Sequence, residues 1–526
     1  MERWKMLVVL ATLVVIASFA TTASKVCFSV PVCKHPKMST EVAEMIPPPG
    51  IAPPPKPIIV NIYLKENKTE YIKKLENYTT EILYIEGNRI VAEIYTSEIL
   101  DIVDLPFVTY MDTPLQAQLF SIASEGLRCI NVSGLHNYGI TGKGIKVAIV
   151  DLGFEGYEDL LGKELPKNVT VRSFRTDGDI SGGTPHGTAC AEIVHDVAPD
   201  AELYLINYDG YDYQLEAIID YLISENVSVV SHSAGHSAGL FDGTDIWCRI
   251  IDDAVSNHNI TWVNSAGNYA QRHWEGIFTD NDGDGWHEYS CNGGELGQAI
   301  NVTRGEGVIV FLSWNETWGN ATQDYDLYIL NPKNNLIVRS VNPQNGSVGQ
   351  IPVERVSFIA PYSGTYYILI QNYSATKPVH FELYSAFHNL RCEVENSSLC
   401  TEATAFGAIV AGAVNSKDCS SLEPYSSRGP TNDGRIKPDF VGPDCVSTKS
   451  YSSKNPLCLF CGTSASAPYV AGAIALELSA TNVSHFIEVC KEEMCLQAQS
   501  IKDLSTTNST QKDNLYGYGM PRFCFP

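Results

Sequence analysis

From Gly142 to Tyr269 the chain alternates wholly apolar runs with amphipathic ones: "IKVAIVD", "HGTACAEIVHDV", "AELYLINY", "YQLEAIIDYLISEN", "VSVVSHSAG", "DIWCRIIDDAVSNHN" and "ITWVNSAGN". Continuous apolar strands separated by amphipathic helices imply a parallel sheet covered by helices on both faces. Functional groups in such α/β sheets gather at the carboxyl ends of the strands. The rhythm stops at Tyr269 and resumes near "TEATAFGAIVAGAV", residues 401–414. Between them, residues from about 299 to 388 read as short strands and turns: "VIVFLSW", "YDLYIL", "RVSFIA", "GTYYILIQ" and "HFELYSAF". An all-β sandwich is therefore expected as an insert in the α/β domain.

Ahead of this region, "IIVNIYL", "KTEYIKKLENYTT" and "ILYIEGNRIVAEIYTSEILDIVDLPFVTYMD" read as strand, helix, strand, strand, helix, strand. That order predicts a small α+β module of ferredoxin-like type. The expected division is an export signal at 1–24, a proline-rich linker at 25–57 and the module at 58–113. The α/β domain follows at 114–270 and 401–526, with the insert at 271–400.

The first residues carry Arg3 and Lys5, then an apolar run from Met6 to Ala20, then small residues. This is the anatomy of a secretory signal. It would attach the chain to a membrane only if left uncleaved. Fourteen Asn-x-Ser/Thr sequons and 15 cysteines agree with export, since glycans and disulfides form outside the cytosol. Cys458 and Cys461 form a C-x-x-C with no second such pair, so bridges are expected rather than zinc. The net charge of −24 excludes a nucleic-acid partner, because a phosphate backbone needs a basic face.

Three side chains sit where chemistry is expected. Asp151 ends the strand "KVAIVD". His186 opens a helix in "GGTPHGTACAEIV". Ser464 opens another in "CGTSASAPYVAGAIAL", among residues small enough to leave room for a substrate carbonyl. Each alone reads as a turn or capping residue. Together, in the order Asp, His, Ser, they match the parts of an activated nucleophile.

With "VVSHSAG", "VNSAGN", "SSRGPTNDGRIKPDFVGP" and "GYGMPR", these segments resemble the subtilisin-family serine proteases. The resemblance spans nearly all of 121–270 and 401–522. It implies Ser464 as nucleophile, His186 as base, Asp151 as the group fixing the imidazole, and Asn268 as an oxyanion donor. It implies Ser233-Ala234-Gly235 and Ala266-Gly267 as backbone edges holding an extended peptide. It further implies polypeptide substrates, a secreted or surface-exposed monomer, and a zymogen whose module at 58–112 is its own inhibitor, released at a junction within 112–121. Leu152 stands where the family usually has Thr or Ser, and "FVGPDCVST" replaces an Ala-Pro-Gly run. An endopeptidase is the expectation; the alternative is a cell-surface binding protein with a vestigial protease core.

In "TDNDGDGWHE", Asp280, Asp282, Asp284 and Glu288 have the spacing of a hard-cation loop, with Gly285 at the turn. Calcium is the expected occupant. Because the insert leaves the domain two residues after Asn268, it is expected to influence substrate access.

Overall fold

The structure is a computed structural model that describes residues 36–46, 57–114, 118–119, 126–290, 297–452, 458–480, 512–521 and 523. The expected export signal lies outside these residues. Among the described residues, no helix is long and apolar enough to cross a membrane.

A seven-stranded parallel sheet forms the centre. Its strands lie side by side as Phe440–Asp444, Ile409–Asn415, Thr261–Ser265, Val229–His232, Lys146–Asp151, Glu202–Asn207 and Thr170–Ser173. Alternate side chains of each strand point to opposite faces, so the unbroken apolar runs feed two cores. On one face Val147, Ile149, Val229 and Val263 pack against the helices His186–Val197 and Thr463–Ala480. On the other, Ala148, Val150, Val230 and Trp262 meet the helices Asp212–Glu225 and Ile246–His258. The small residues after Ser464 allow one close approach: a Cβ on Gly472 would lie 2.7 Å from Val197. Pro468 is the sixth residue of this helix, so it brings no N–H to the Ser464 carbonyl, which accepts instead from the Ser233 hydroxyl and the Cys190 thiol.

The insert is a sandwich of two antiparallel four-stranded sheets. One runs His273–Ile277, His380–Ser385, Gly307–Trp314, Val353–Ile359; the other runs Gln298–Val302, Gly364–Asn372, Tyr325–Leu330, Leu336–Ser340. Val310, Leu312, Trp314 and Phe381 from the first interdigitate with Leu327, Tyr366 and Ile368 from the second.

The N-terminal module has its strands in the order Glu81–Glu86, Arg89–Ile94, Ile58–Leu64, Val108–Asp112, all antiparallel, with helices Thr69–Leu75 and Ile99–Val103. One boundary differs from the sequence reading. Residues 36–46 are not linker but part of the module: Met38 and Val42 are buried with Val60, Ile62 and Met111. The Lys37 ammonium donates to the carbonyls of Val103 (2.7 Å) and Leu105 (3.1 Å). Two apolar side chains flanking a Ser-capped turn suffice to dock this stretch, whereas most of the proline run after it lies outside the described residues.

The module sits on the helix Asp212–Glu225. The Arg89 guanidinium meets the Asp212 carboxylate at 2.7 Å. The Tyr84 hydroxyl donates to Glu216, and its ring stacks on Tyr213 at 5.7 Å.

Candidate active site

Asp151, His186 and Ser464 are each fully buried. Asp151 Oδ1 accepts from the Leu152 N–H at 2.7 Å, which aims Oδ2 at His186 Nδ1, also 2.7 Å away. His186 reaches that carboxylate because the start of its helix lies against the end of the Asp151 strand. Gly187 permits this: a Cβ there would lie 2.7 Å from the Gly153 carbonyl oxygen and 2.8 Å from Asp151 Cβ. Burial favours the neutral ring, but the Asp151 carboxylate opposes it and holds the His186 pKa well above 6.5.

The third segment joins through Cys190, four residues after His186 and on the same helix face. Its thiol lies 3.9 Å from Asp151 Oδ2 and 3.5 Å from the Ser464 carbonyl oxygen. Burial pushes the Cys190 pKa up, so the thiol stays neutral. Ser464 and Ser233 are linked twice. The Ser464 hydroxyl donates to the Ser233 carbonyl at 3.3 Å, and the Ser233 hydroxyl donates to the Ser464 carbonyl at 3.2 Å.

Asn268 is held by one side of its carboxamide. Its Oδ1 accepts from the Thr463 N–H (2.9 Å) and the Thr463 hydroxyl (3.1 Å). A planar amide fixed at oxygen turns its NH2 the other way. The Ser464 N–H belongs to the first turn of the helix Thr463–Ala480, where N–H groups have no intrahelical acceptor. Both donors therefore remain for charge developing beside Ser464.

The two expected peptide edges differ. Ala234 and Gly235 form a two-residue strand that pairs, antiparallel, with Gln118–Leu119 of the same chain. Ala266 and Gly267 do not offer such an edge. Ala266 donates to Ala411 and accepts from Cys400, while Gly267 donates to the Thr463 hydroxyl and accepts from Ser427. Their backbone groups are spent inside the protein.

Several neighbours carried no sequence signal. Glu402 is fully buried and accepts from His236, 2.5 Å from its Nδ1 and 2.8 Å from its N–H. The His236 ring stacks on Trp247 at 3.8 Å. Asp444 receives the N–H groups of Cys445 (2.6 Å) and Gly462 (2.7 Å), bracing the turn before Ser464. Cys445 and Cys461 are joined, as are Cys129 and Cys419; Cys458 is a free thiol. Of the neighbours of the triad, Cys190 alone has a sequence cue, its i, i+4 spacing from His186 on one helix.

In the acidic loop, Asp280, Asp282 and Asp284 converge, each with one carboxylate oxygen within 4.8 Å of the others. Glu288 does not join them: its Oε2 accepts from the Asn281 N–H at 3.2 Å and from the Asn281 side chain. Burial, then the charges of Asp282 and Asp280, push the Asp284 pKa up.

The Subtilase family profile matches residues 142–295 and 387–519, more than half of the chain. The chain belongs to the subtilase family. The gap in the match falls on the β-sandwich, so the family's own domain is the α/β part of this subtilase. The chain is 24% identical over 204 residues to a thermostable alkaline protease of Halalkalibacterium halodurans, covering 37% of this chain and 55% of that protein. It thus spans about half the length of that curated relative. Among solved structures, the CspB protease of Clostridium perfringens overlays with a TM-score of 0.53 at 15% identity, over 76% of this chain and 97% of that one. At that identity the likeness concerns the fold.

Proposed function

We propose that this subtilase is an exported serine endopeptidase, made as a zymogen, that hydrolyses peptide bonds through an acyl-enzyme. The observation that supports it most is the buried Asp151–His186 pair, 2.7 Å apart, next to a serine at a helix start. Nδ1 of His186 is committed to Asp151, which leaves Nε2 as the nitrogen that takes the Ser464 proton. Ser464 Oγ then attacks the scissile carbonyl. Asp151 holds the tautomer and stabilises the imidazolium, and the Asn268 amide and the Ser464 N–H receive the oxyanion. The imidazolium returns its proton to the leaving amine, and water hydrolyses the ester.

The N-terminal module is read as the inhibitor in cis. Its hold on the helix Asp212–Glu225, together with the strand Gln118–Leu119 lying on Ala234–Gly235, supports that role. Export rests on the N-terminal signal pattern and the sequons. Asp280, Asp282 and Asp284 fit a structural calcium ion: three hard oxygen ligands in one loop, repelling one another without a cation.

The deciding experiment replaces Ser464 with Ala. A folded Ser464→Ala protein should lose casein hydrolysis and fluorophosphonate labelling while its melting temperature stays within a few degrees. Wild-type casein hydrolysis in that variant would refute the assignment.

A further inference from the structure

Two neighbouring strands of the insert carry the same short pattern, His-aromatic-Glu. His273-Trp274-Glu275 lies in the strand His273–Ile277, and His380-Phe381-Glu382 in the strand His380–Ser385. The strands pair antiparallel with Glu275 directly opposite Glu382. Alternate residues of a strand share a face. Trp274 and Phe381 turn towards the sandwich core, so both histidines and both glutamates turn to the other side. Each glutamate then has the other strand's histidine as its diagonal neighbour.

The two diagonals differ. One is closed: His273 Nε2 lies 2.6 Å from Glu382 Oε2, and its Nδ1 lies 2.7 Å from the Val394 carbonyl oxygen. Both nitrogens of His273 are committed, so this ring holds the carboxylate in place. The other is open: His380 Nε2 lies 3.5 Å from Glu275 Oε2, and its Nδ1 lies 3.9 Å from Glu382 Oε1. Both distances exceed those of ordinary N–H···O bonds. The shorter one matches the edge between two ligands of a tetrahedral ion, about 3.3–3.5 Å for bonds of about 2.0–2.1 Å. One ligand atom from each of Glu275, His380 and Glu382 falls within 4.8 Å of the others. Carboxylates directly opposite each other across a strand pair repel, and a cation between them removes that cost. Glu275 and His380 are 22% and 36% exposed, which leaves an ion a way in from water.

We propose that Glu275, His380 and Glu382 bind one divalent transition-metal ion of the zinc class. An imidazole ligand suits zinc and its neighbours, whereas calcium takes oxygen ligands. The site is thus distinct in chemistry from the aspartates of the acidic loop. Three protein ligands leave a fourth position for water. His273 and Asn432 support the ligands from behind, because Glu382 Oε2 is held by His273 and Oε1 accepts from Asn432 Nδ2 at 2.8 Å. Such bonds orient a ligating carboxylate, and its oxygens keep further lone pairs for the ion. Asn432 belongs to the α/β domain, where its Nδ2 also donates to the Leu240 carbonyl at 2.9 Å and its N–H to the Phe241 carbonyl at 2.9 Å. An ion on Glu382 therefore fastens two strands of the insert to each other at the seam with that domain.

Peptide hydrolysis plays no part in this binding, so the test uses the full chain carrying Ser464→Ala. The protein is stripped with chelator and returned to excess calcium, which fills the acidic loop. Zinc titration by calorimetry, and metal analysis after desalting, should find one zinc ion per chain. Zinc should raise the melting temperature and slow hydrogen exchange in residues 273–277 and 380–385. His380→Ala and Glu275→Gln should each weaken zinc binding about tenfold or more and abolish the zinc-dependent rise, while melting within a few degrees of the parent when zinc is absent. Glu275→Gln keeps the shape of the side chain and carries the test alone should His380→Ala fail to fold.

A parent chain that binds no zinc overturns the proposal. So does zinc bound equally well by the variants, which would place the ion at another cluster such as Asp151, His186 and Cys190. Zinc held only when calcium is withheld would place it on the aspartates and overturns the proposal as well. None of these outcomes touches the protease reading, which stands or falls with casein hydrolysis.

Discussion

Asp444 carries an unusual cost for a residue so close to the candidate nucleophile. It is fully buried at the end of the strand Phe440–Asp444. Oδ1 takes both backbone N–H groups, and Oδ2 takes the Tyr425 hydroxyl. Burial dominates these bonds and raises its pKa from 3.8 to about 8. The folded protein thus keeps this proton across a window in which the unfolded chain has released it. Where the native state binds more protons, stability falls as pH rises. The fall begins near pH 4 and ends near pH 8, at about 1.4 kcal/mol per pH unit for one group. The total is on the order of 5 kcal/mol. Asn at this position is neutral at every pH. Its Oδ1 can keep both N–H groups, and its NH2 can donate to the Tyr425 oxygen. Asp444→Asn, in a Ser464→Ala background that prevents self-digestion, should therefore match the parent near pH 4 and exceed it progressively above. At pH 8.5 the gap should reach roughly 10–20 °C, taking about 2–4 °C per kcal/mol for a domain of this size. Scanning calorimetry at pH 4.5, 6.5 and 8.5 measures it. Melting temperatures of the two proteins that run parallel across this range would refute the reasoning.

Asn268→Ala should lower kcat roughly 100-fold, about 3 kcal/mol of lost oxyanion stabilisation, with KM little changed; steady-state kinetics on a peptide amide checks the split. Chelation should lower the melting temperature and expose 279–290 to proteolysis, because the three aspartates then repel one another, and the stabilisation by added calcium should grow as ln(1 + [L]/Kd). Thr40 and Asn342 join the N-terminal module to the insert (Thr40 N to Asn342 Oδ1, 2.6 Å), so Asn342→Ala should speed release of the cut module several-fold in a size-exclusion time course, with tetrapeptide hydrolysis by the released enzyme unchanged.

The α/β rhythm, the sandwich and the placement of Asp151, His186 and Ser464 were legible because each is written in local pattern. Val147 to Val150 are all apolar because both faces of their strand are buried. Asp151 and Ser464 sit at element ends, where side chains can meet across the sheet. Interactions without a local signature were not legible. His236 and Glu402 are 166 residues apart, and nothing near either announces the other. Ala266 and Gly267 look in sequence like a free edge, but Cys400, Ser427 and Thr463, all distant in the chain, use up their backbone groups. Glu288 shows a related failure. Acidic spacing indicates which carboxylates can converge, but Asn281 competes for this one. Residues 36–46 read as linker in the sequence because two buried side chains, Met38 and Val42, are too few to form a visible pattern.

The insert's position after Asn268 suggests at first a role at the cleft, but its contacts point elsewhere. Its near end is welded to the α/β domain. Tyr384 stacks on Phe241 and meets Tyr269 edge-on, its hydroxyl donating to the Leu399 carbonyl at 2.9 Å. Glu382 bonds both His273 and Asn432. Its far end reaches the N-terminal module. The Val341 N–H donates to the Thr40 hydroxyl at 3.0 Å, and Gly349 lies so close to Tyr63 that a Cβ would clash at 2.7 Å. A rigid body fixed to the α/β domain at one end and to the module at the other adds a second grip beyond the helix Asp212–Glu225. Two grips on one body act through effective concentration: while one holds, the other re-forms quickly. If the module is the inhibitor proposed above, the sandwich is expected to bear on how long it stays bound.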